Sequence, residues 1–449
     1  MSDPLHSFVS LLPSRSDAAV RLTERLTQRI RTALAAERMR RQHSGESEPD
    51  IESEIAMSRR VIEDERSLGP NDGAVAFELP ESEFDRIAES VIAGVLGMGQ
   101  LQRLLEDPEI SDIHVRGSSP VWIKWRNGTR TCVEPIVGSD EELIELIRRA
   151  ATRLVRQEQR FDAANPELNL QLPDGSRLFA AMAVSRHPSL IIRRHQFELS
   201  SLSELENRGM FGEDVRQFLQ AAVKARRNIV IAGGTGSGKT TLLRALINEI
   251  PPMERIVTIE DAYELGIERF ADRHPDHDAL QARVANIEGR GAINMADLTR
   301  MALRMDPDRV IVGEVRGAEA FPMLMAMSQG NNGSMCTMHA DGTRSVFPKL
   351  AAYVSMASTG LPVETVNLIL ASALHFVVYI NNSAGHRRIE SIREVVDSDG
   401  GRIISNEIFT TIGDGICGPA YPMQERNRIL LEQAGIDERI GGRSTLGYF

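Results

Sequence analysis

The chain has 449 residues, enough for two or three domains, each able to bury a core of its own. Its 52 Lys and Arg against 63 Asp and Glu leave a net charge of −11, which speaks against nucleic acid as a direct partner. Three scattered cysteines, Cys132, Cys336 and Cys417, exclude a disulfide framework and a four-thiolate zinc site, and they fit a reducing cytoplasm.

Met1 to Asp17 lacks the basic start and apolar run of a signal peptide. No stretch approaches the roughly 20 apolar residues of a membrane helix, which predicts a soluble chain that meets a membrane only through partners. Residues 18–42 read as a helix with Leu22, Leu26, Ile30 and Leu34 on one stripe among seven arginines. A solvated amphipathic helix, or one lost to disorder, is the first reading, and a docking helix for an acidic partner or a lipid surface the second. With the polar segment Ser44–Asp50 and the turn-rich Leu68–Gly73, residues 1–75 are expected to form a mobile extension.

From 76 to 195 the pattern is that of a compact α/β domain. Phe84–Leu105 reads as helix, and Asp112–Trp125 as paired strands around a turn at Gly117–Pro120. Glu141–Val155 reads as helix, and strand-and-turn text runs on to Arg194. Residues 196–207 look like a linker. Residues 208–420 then alternate short β-rich runs with helices, the pattern of a parallel sheet with crossover helices. Residues 421–449 read as a peripheral tail.

Within that second domain, Asn228–Ala232 is a β-branched run leading directly into Gly233-Gly234-Thr235-Gly236-Ser237-Gly238-Lys239-Thr240-Thr241, after which Lys239–Ile250 has helical spacing. This strand–loop–helix context is what a phosphate-binding loop demands. Glycines let amides approach phosphate oxygens, Lys239 reaches the β- and γ-phosphates, and the Thr240 hydroxyl ligates magnesium. A chance match would lack the flanking strand and helix.

Three further strand ends follow. Ile256–Ile259 leads to Glu260, Asp261 and Glu264, carboxylates able to orient a water or hold magnesium. Val310–Val312 leads to Glu314, placed beside the metal, and to Arg316, which could pair with Glu314 or touch phosphate. Gly333–Ala340 reads as a strand ending at His339, a candidate γ-phosphate sensor. Met323 and Met327, at helical spacing, read as core filler. His274, Asp276 and His277 read as a solvated loop rather than metal ligands.

The segments GGTGSGKTT, TIEDAYEL (Thr258–Leu265), LRMDPDRVIVGEVRGAEA (Leu303–Ala320) and GSMCTMHA (Gly333–Ala340) occur in one order. They resemble the Walker A, Asp-box, Walker B and His-box set of the type II/IV secretion ATPases. GMGQLQRLLEDPEISDIHVRG (Gly97–Gly117), LPDGSRL (Leu172–Leu178) and IIRRHQF (Ile191–Phe197) are similar to the CpaF-like branch that drives Tad/Flp pilus assembly.

The resemblance implies a C-terminal RecA-like domain, a smaller N-terminal α/β domain of PAS-like type, ATP and Mg2+ as cofactors, and a homo-hexamer. It also implies inner-membrane platform proteins as partners and a cytoplasmic location at the inner face of the plasma membrane, while the net charge of −11 and an aromatic content of 5% speak against direct nucleic-acid contact. By position, Arg177, Arg193 or Arg194 would reach phosphate, and Glu260 or Glu264 would polarise the attacking water. Two departures stand out: Asn331 where relatives often carry histidine, and Asp341-Gly342 after His339-Ala340 in place of the usual Asn-Ser. The missing CxxC pairs set the chain apart from motors that bind zinc. The competing functions are a conjugal-transfer ATPase and a nucleotide-binding hexameric scaffold with little turnover.

Overall fold

The computed structural model describes residues 17–44, 51–68, 79–96, 101–154, 160–172, 174–194, 201–285, 289–383, 386–412 and 416–442. The chain divides into two compact units, Met1–His195 and Gln196–Phe449.

The first unit begins with three helices, α1 (Asp17–Ser44), α2 (Ile51–Ser67) and α3 (Glu81–Leu96). The Leu22, Leu26, Ile30 and Leu34 stripe of α1 is buried against Ile62 of α2 and Phe84, Ala88, Val91 and Val95 of α3. The expectation of a solvated helix in a mobile extension is therefore corrected. An apolar stripe four residues apart closes a core once two further helices cover it, and the arginines flank that core. Arg25 and Arg29 pair with Glu65, whose carboxylate is wholly buried. Arg66 pairs with Asp85 and lies 4.8 Å from the centre of the Phe84 ring. The polar segments 45–50 and 69–73 lie outside the described residues.

Over the expected helix Phe84–Leu105 the described residues are helical, in α3 and in α4 (Leu101–Glu106), and residues 97–100 lie outside them. A six-stranded sheet follows, built from β1 (Ile110–Arg116), β2 (Val121–Trp125), β3 (Arg130–Val133), β4 (Glu167–Gln171), β5 (Arg177–Ala181) and β6 (Ser189–Arg193). Its order is β3-β2-β1-β6-β5-β4 with every neighbour antiparallel. Alternate residues such as Ile113, Val115, Leu178, Ala180, Leu190 and Ile192 share one core with Leu143, Leu146 and Ile147 of α5 (Asp140–Leu154). That period of two is the reason the strands were readable.

Of the expected 196–207 linker, residues 196–200 lie outside the described residues, and the described part is not linker but α6 (Leu202–Asn207). Ser201 and Glu204 form a reciprocal capping box that fixes its start, a signal the linker reading passed over. Then come α7 (Glu213–Lys224), β7 (Ile229–Gly233), α8 (Lys239–Ile247), β8 (Ile256–Glu260), β9 (His277–Gln281), α9 (Met295–Ala302), β10 (Arg309–Val315), α10 (Ala320–Ser328), β11 (Met335–Met338), α11 (Val346–Met356) and α12 (Val363–Ala373).

Four antiparallel-connected strands complete the sheet, β12 (Phe376–Ser383), β13 (His386–Ser398), β14 (Ile403–Ile412) and β15 (Ile416–Pro419). The order is β15-β14-β13-β12-β7-β11-β10-β8-β9, parallel from β12 through β9. Ile229 and Ile231 face one core with α6, α7 and α8, while Val230 and Ala232 face a second with α9 to α12. A central strand buried on both faces explains the unbroken apolar text. Met323 and Met327 are fully buried there, as core filler.

The expected tail is corrected in part. In α13 (Glu425–Gln433) Leu431 is buried in the first of these cores, and Asn427 donates to Glu394 Oε1 at 2.7 Å. Among the described residues no helix is long and apolar enough to cross a membrane.

Candidate functional site

Because β7, β11 and β10 are neighbours and parallel, their carboxyl ends open side by side. β7 ends at Gly233, where an added Cβ would lie 2.5 Å from both the Ile380 carbonyl oxygen and Ser237 Oγ, so only glycine fits. The loop Gly234–Gly238 turns into α8 through Gly238, whose φ of +100° is a left-handed conformation natural to glycine. Gly234, Thr235 and Gly236 are exposed; the Ser237 hydroxyl is buried and has no hydrogen-bond partner. Thr240 and Thr241 lie half-buried in the first turn of α8.

Lys239 is 8% exposed, and its ammonium donates to the carbonyls of Gly233 (3.1 Å) and Gly234 (2.8 Å). It lies 3.4 Å from His339 Nδ1, and His339 Nε2 lies 2.9 Å from Glu314 Oε1. A continuous polar chain thus joins the start of α8 to the ends of β11 and β10. Burial draws the Lys239 pKa below the ordinary lysine value, against the opposing pull of the Glu314 and Glu264 charges. Thr337 Oγ1 donates to the Gly313 carbonyl at 2.6 Å, and Lys349 Nζ to the His339 carbonyl at 2.9 Å, which fixes the strand ends. A glycine cradle, a desolvated ammonium held by two carbonyls beside His339 and an unpartnered buried hydroxyl together fit the phosphates of a nucleotide. Thr240 and Glu314 supply oxygen donors of the kind magnesium takes.

Glu260 behaves differently. It ends β8, is 2% exposed, and its Oε2 accepts from the amides of Glu264 and Leu265, both at 2.7 Å. Its Oε1 has no partner. Burial pushes its pKa up to about 7, although the two amides favour the carboxylate. A folded pKa above the usual 4.5 means this carboxyl supports the fold at low pH and loses that support as pH rises through 7. Glu260→Gln is therefore expected to gain roughly 1–3 kcal/mol on the wild type between about pH 5 and pH 8. Thermal unfolding at the two pH values reads this, and an offset equal at both would refute it.

Of the other expected residues, Arg316 pairs with Asp261 at 2.8 Å rather than with Glu314. Glu319 Oε1 accepts from the amides of Arg316 (2.6 Å) and Gly317 (2.8 Å), which turns the chain after β10, and Glu314 is already held by His339. Arg177, Arg193 and Arg194 belong to the first unit. Arg177 and Arg193 face each other in register across β5 and β6, Arg193 Nε donates to Asp112 Oδ1 at 2.9 Å, and Arg194 donates to the Asp107 carbonyl. Asn331 donates to the Pro307 carbonyl, a role open to a neutral amide. His274 is buried, not solvated as expected, and burial lowers its pKa. The thiol of Cys336 lies within β11, and burial pushes its pKa far up.

Sequence reasoning passed over Asn228. Its Oδ1 accepts from the amides of Gly333 (2.8 Å) and Ser334 (3.1 Å), and its Nδ2 donates to the carbonyls of Met327 (2.8 Å) and Ala373 (2.5 Å). A lone amide heading an apolar strand was the available signal.

The model of the family described as type II/IV secretion system protein matches residues 96–399. A putative conjugal transfer protein of Mycobacterium tuberculosis is 34% identical over 314 residues, which span 68% of this chain and 86% of that protein. The type IV secretion system protein VirB11 of Brucella suis is 30% identical over 327 residues, 66% of this chain and 87% of its own. The type IV secretion system protein PtlH of Bordetella pertussis is 31% identical over 322 residues, 66% and 92% respectively. The crystal structure of the Brucella suis VirB11 ATPase in complex with sulphate, 29% identical, covers 65% of this chain and 91% of its own with a TM-score of 0.36.

Proposed function

The chain belongs to the type II/IV secretion system protein family and is an ATPase, and from that premise we propose that it is a magnesium-dependent homo-hexameric motor for Tad/Flp-type pilus assembly. It works in the cytoplasm at the inner face of the plasma membrane, on platform proteins and without direct nucleic-acid contact. The observation that carries the hydrolytic part is the Lys239–His339–Glu314 chain at three adjacent strand ends.

In this reading the amides of Gly234 to Lys239 cradle the phosphates, and the Lys239 ammonium exchanges carbonyl oxygens for phosphate oxygens. His339 bridges Lys239 and Glu314, and it exchanges one of them for the γ-phosphate. Magnesium, when bound by Thr240 and Glu314, supplies neutralisation of the phosphate charge. Glu264 rather than Glu260 is assigned to the attacking water. One Glu260 oxygen is spent on the amides of its own loop, which leaves Glu264 as the other carboxylate of that segment. Arg177, Arg193 and Arg194 keep a phosphate-binding assignment on the family resemblance alone.

The names of the relatives favour one other reading, a conjugal-transfer or type IV secretion ATPase. Recovery of a catalytically dead full-length chain from native membranes separates the two. Co-recovery of a pilin and its platform protein supports the pilus motor, and a relaxase with a coupling protein supports the other. A wild-type hexamer without magnesium-dependent ATP turnover would sink both.

A further inference from the structure

One cationic side chain beside the glycine-rich loop has no role in the account above. Ile380 of β12 stands opposite Gly233 at the end of β7. The strand continues through Asn381, Asn382 and Ser383, which pair with Arg388, Arg387 and His386 of β13. At about 3.3 Å per residue, Asn382 and Arg387 stand roughly 7 Å past the level of Gly233, on the side where the loop emerges.

The Ile389 amide donates to the Met210 carbonyl at 2.9 Å, which ties the hairpin to the segment before α7. A Cβ on Gly238 would lie 3.1 Å from Met210 Cε and 3.4 Å from Arg387 Cδ, so the arginine stem runs along the backbone at the start of α8. Arg387 is exposed, and its guanidinium makes no hydrogen bond or ion pair among the described residues.

That placement is electrostatically unfavourable without an anion beside it. The amino end of a helix carries partial positive charge, and cations are normally stabilised at the opposite end. Here a guanidinium with no acidic partner and the Lys239 ammonium both stand at the start of α8. An anion seated on the loop relieves this repulsion, and a guanidinium offers it several fixed donors.

We propose that Arg387 is a nucleotide-binding residue that clamps the α- and β-phosphates of a nucleoside di- or triphosphate from the β12–β13 hairpin, an inference that rests on the ATP-site reading above. Because these phosphates are held alike before and during hydrolysis, the contact contributes uniform binding.

The test is calorimetric titration of ADP into full-length wild type, Arg387→Ala and Arg387→Lys, with steady-state ATP hydrolysis in parallel. Arg387→Ala is expected to weaken ADP binding and raise the KM for ATP, each about tenfold, while kcat stays within about twofold. Arg387→Lys recovers part of the affinity, since an ammonium lacks the planar fork. Melting without nucleotide is unchanged, and the rise in Tm produced by ADP shrinks. Unchanged ADP affinity, or a fall in kcat with normal ADP affinity, overturns the proposal. So does an altered oligomeric state of the nucleotide-free variant, which would make Arg387 an assembly residue. A wild type that binds no ADP sinks the ATP-site reading itself; normal binding by both proteins sinks only the role of Arg387.

Discussion

Lys239→Ala is expected to lower ATP turnover by at least about a hundredfold, the scale on which a preorganised donor to developing charge acts. The ammonium is already stripped of most of its water and held by two carbonyls, so phosphate oxygens replace those carbonyls with little further cost in desolvation. Alanine is favourable in the first turn of α8, so the fold survives. His339 loses the cation at its Nδ1, and its pairing with Glu314 alone cannot substitute for a charge on the phosphates. Phosphate release at saturating ATP, with melting measured in parallel, checks this. A folded variant with ordinary turnover would remove Lys239 from the site.

The largest expected effect on stability lies at a residue that touches no substrate. Asn228→Ala removes four hydrogen bonds at once and leaves two amides and two carbonyls without that partner. At about 1 kcal/mol for each bond, plus the cost of stranded buried groups, the second unit is expected to lose roughly 3–5 kcal/mol. Asn228→Asp is expected to be worse, because a carboxylate cannot donate to the Met327 and Ala373 carbonyls. Chemical denaturation reads both variants; a loss below about 1 kcal/mol for Asn228→Ala would mean that neighbouring groups or water replace the amide.

The residues that were readable in advance are those whose chemistry is local in sequence. The glycine-rich loop, the strand before it and the helix after it lie within one short stretch, and the β-branched runs ending at Glu260 and Glu314 mark buried parallel strands. What stayed hidden depends on partners far along the chain. The stripe on α1 is amphipathic whether it meets water or other helices, and only Ile62 and the apolar face of α3 decide which. Arg316 could not be assigned to Asp261 over Glu314 without knowing that His339 had taken Glu314. The difference between Glu260 and Glu264 lies in a loop that folds its own amides back onto Glu260, a geometry with no sequence signature.

The three amino-terminal helices close their apolar core from their own residues alone, and the sheet that follows builds a separate one. Mutations in one such core do not have to be matched by mutations in the other. The helical segment is thus a packing module of its own within the first unit. The family match from residue 96 onward begins where those three helices end.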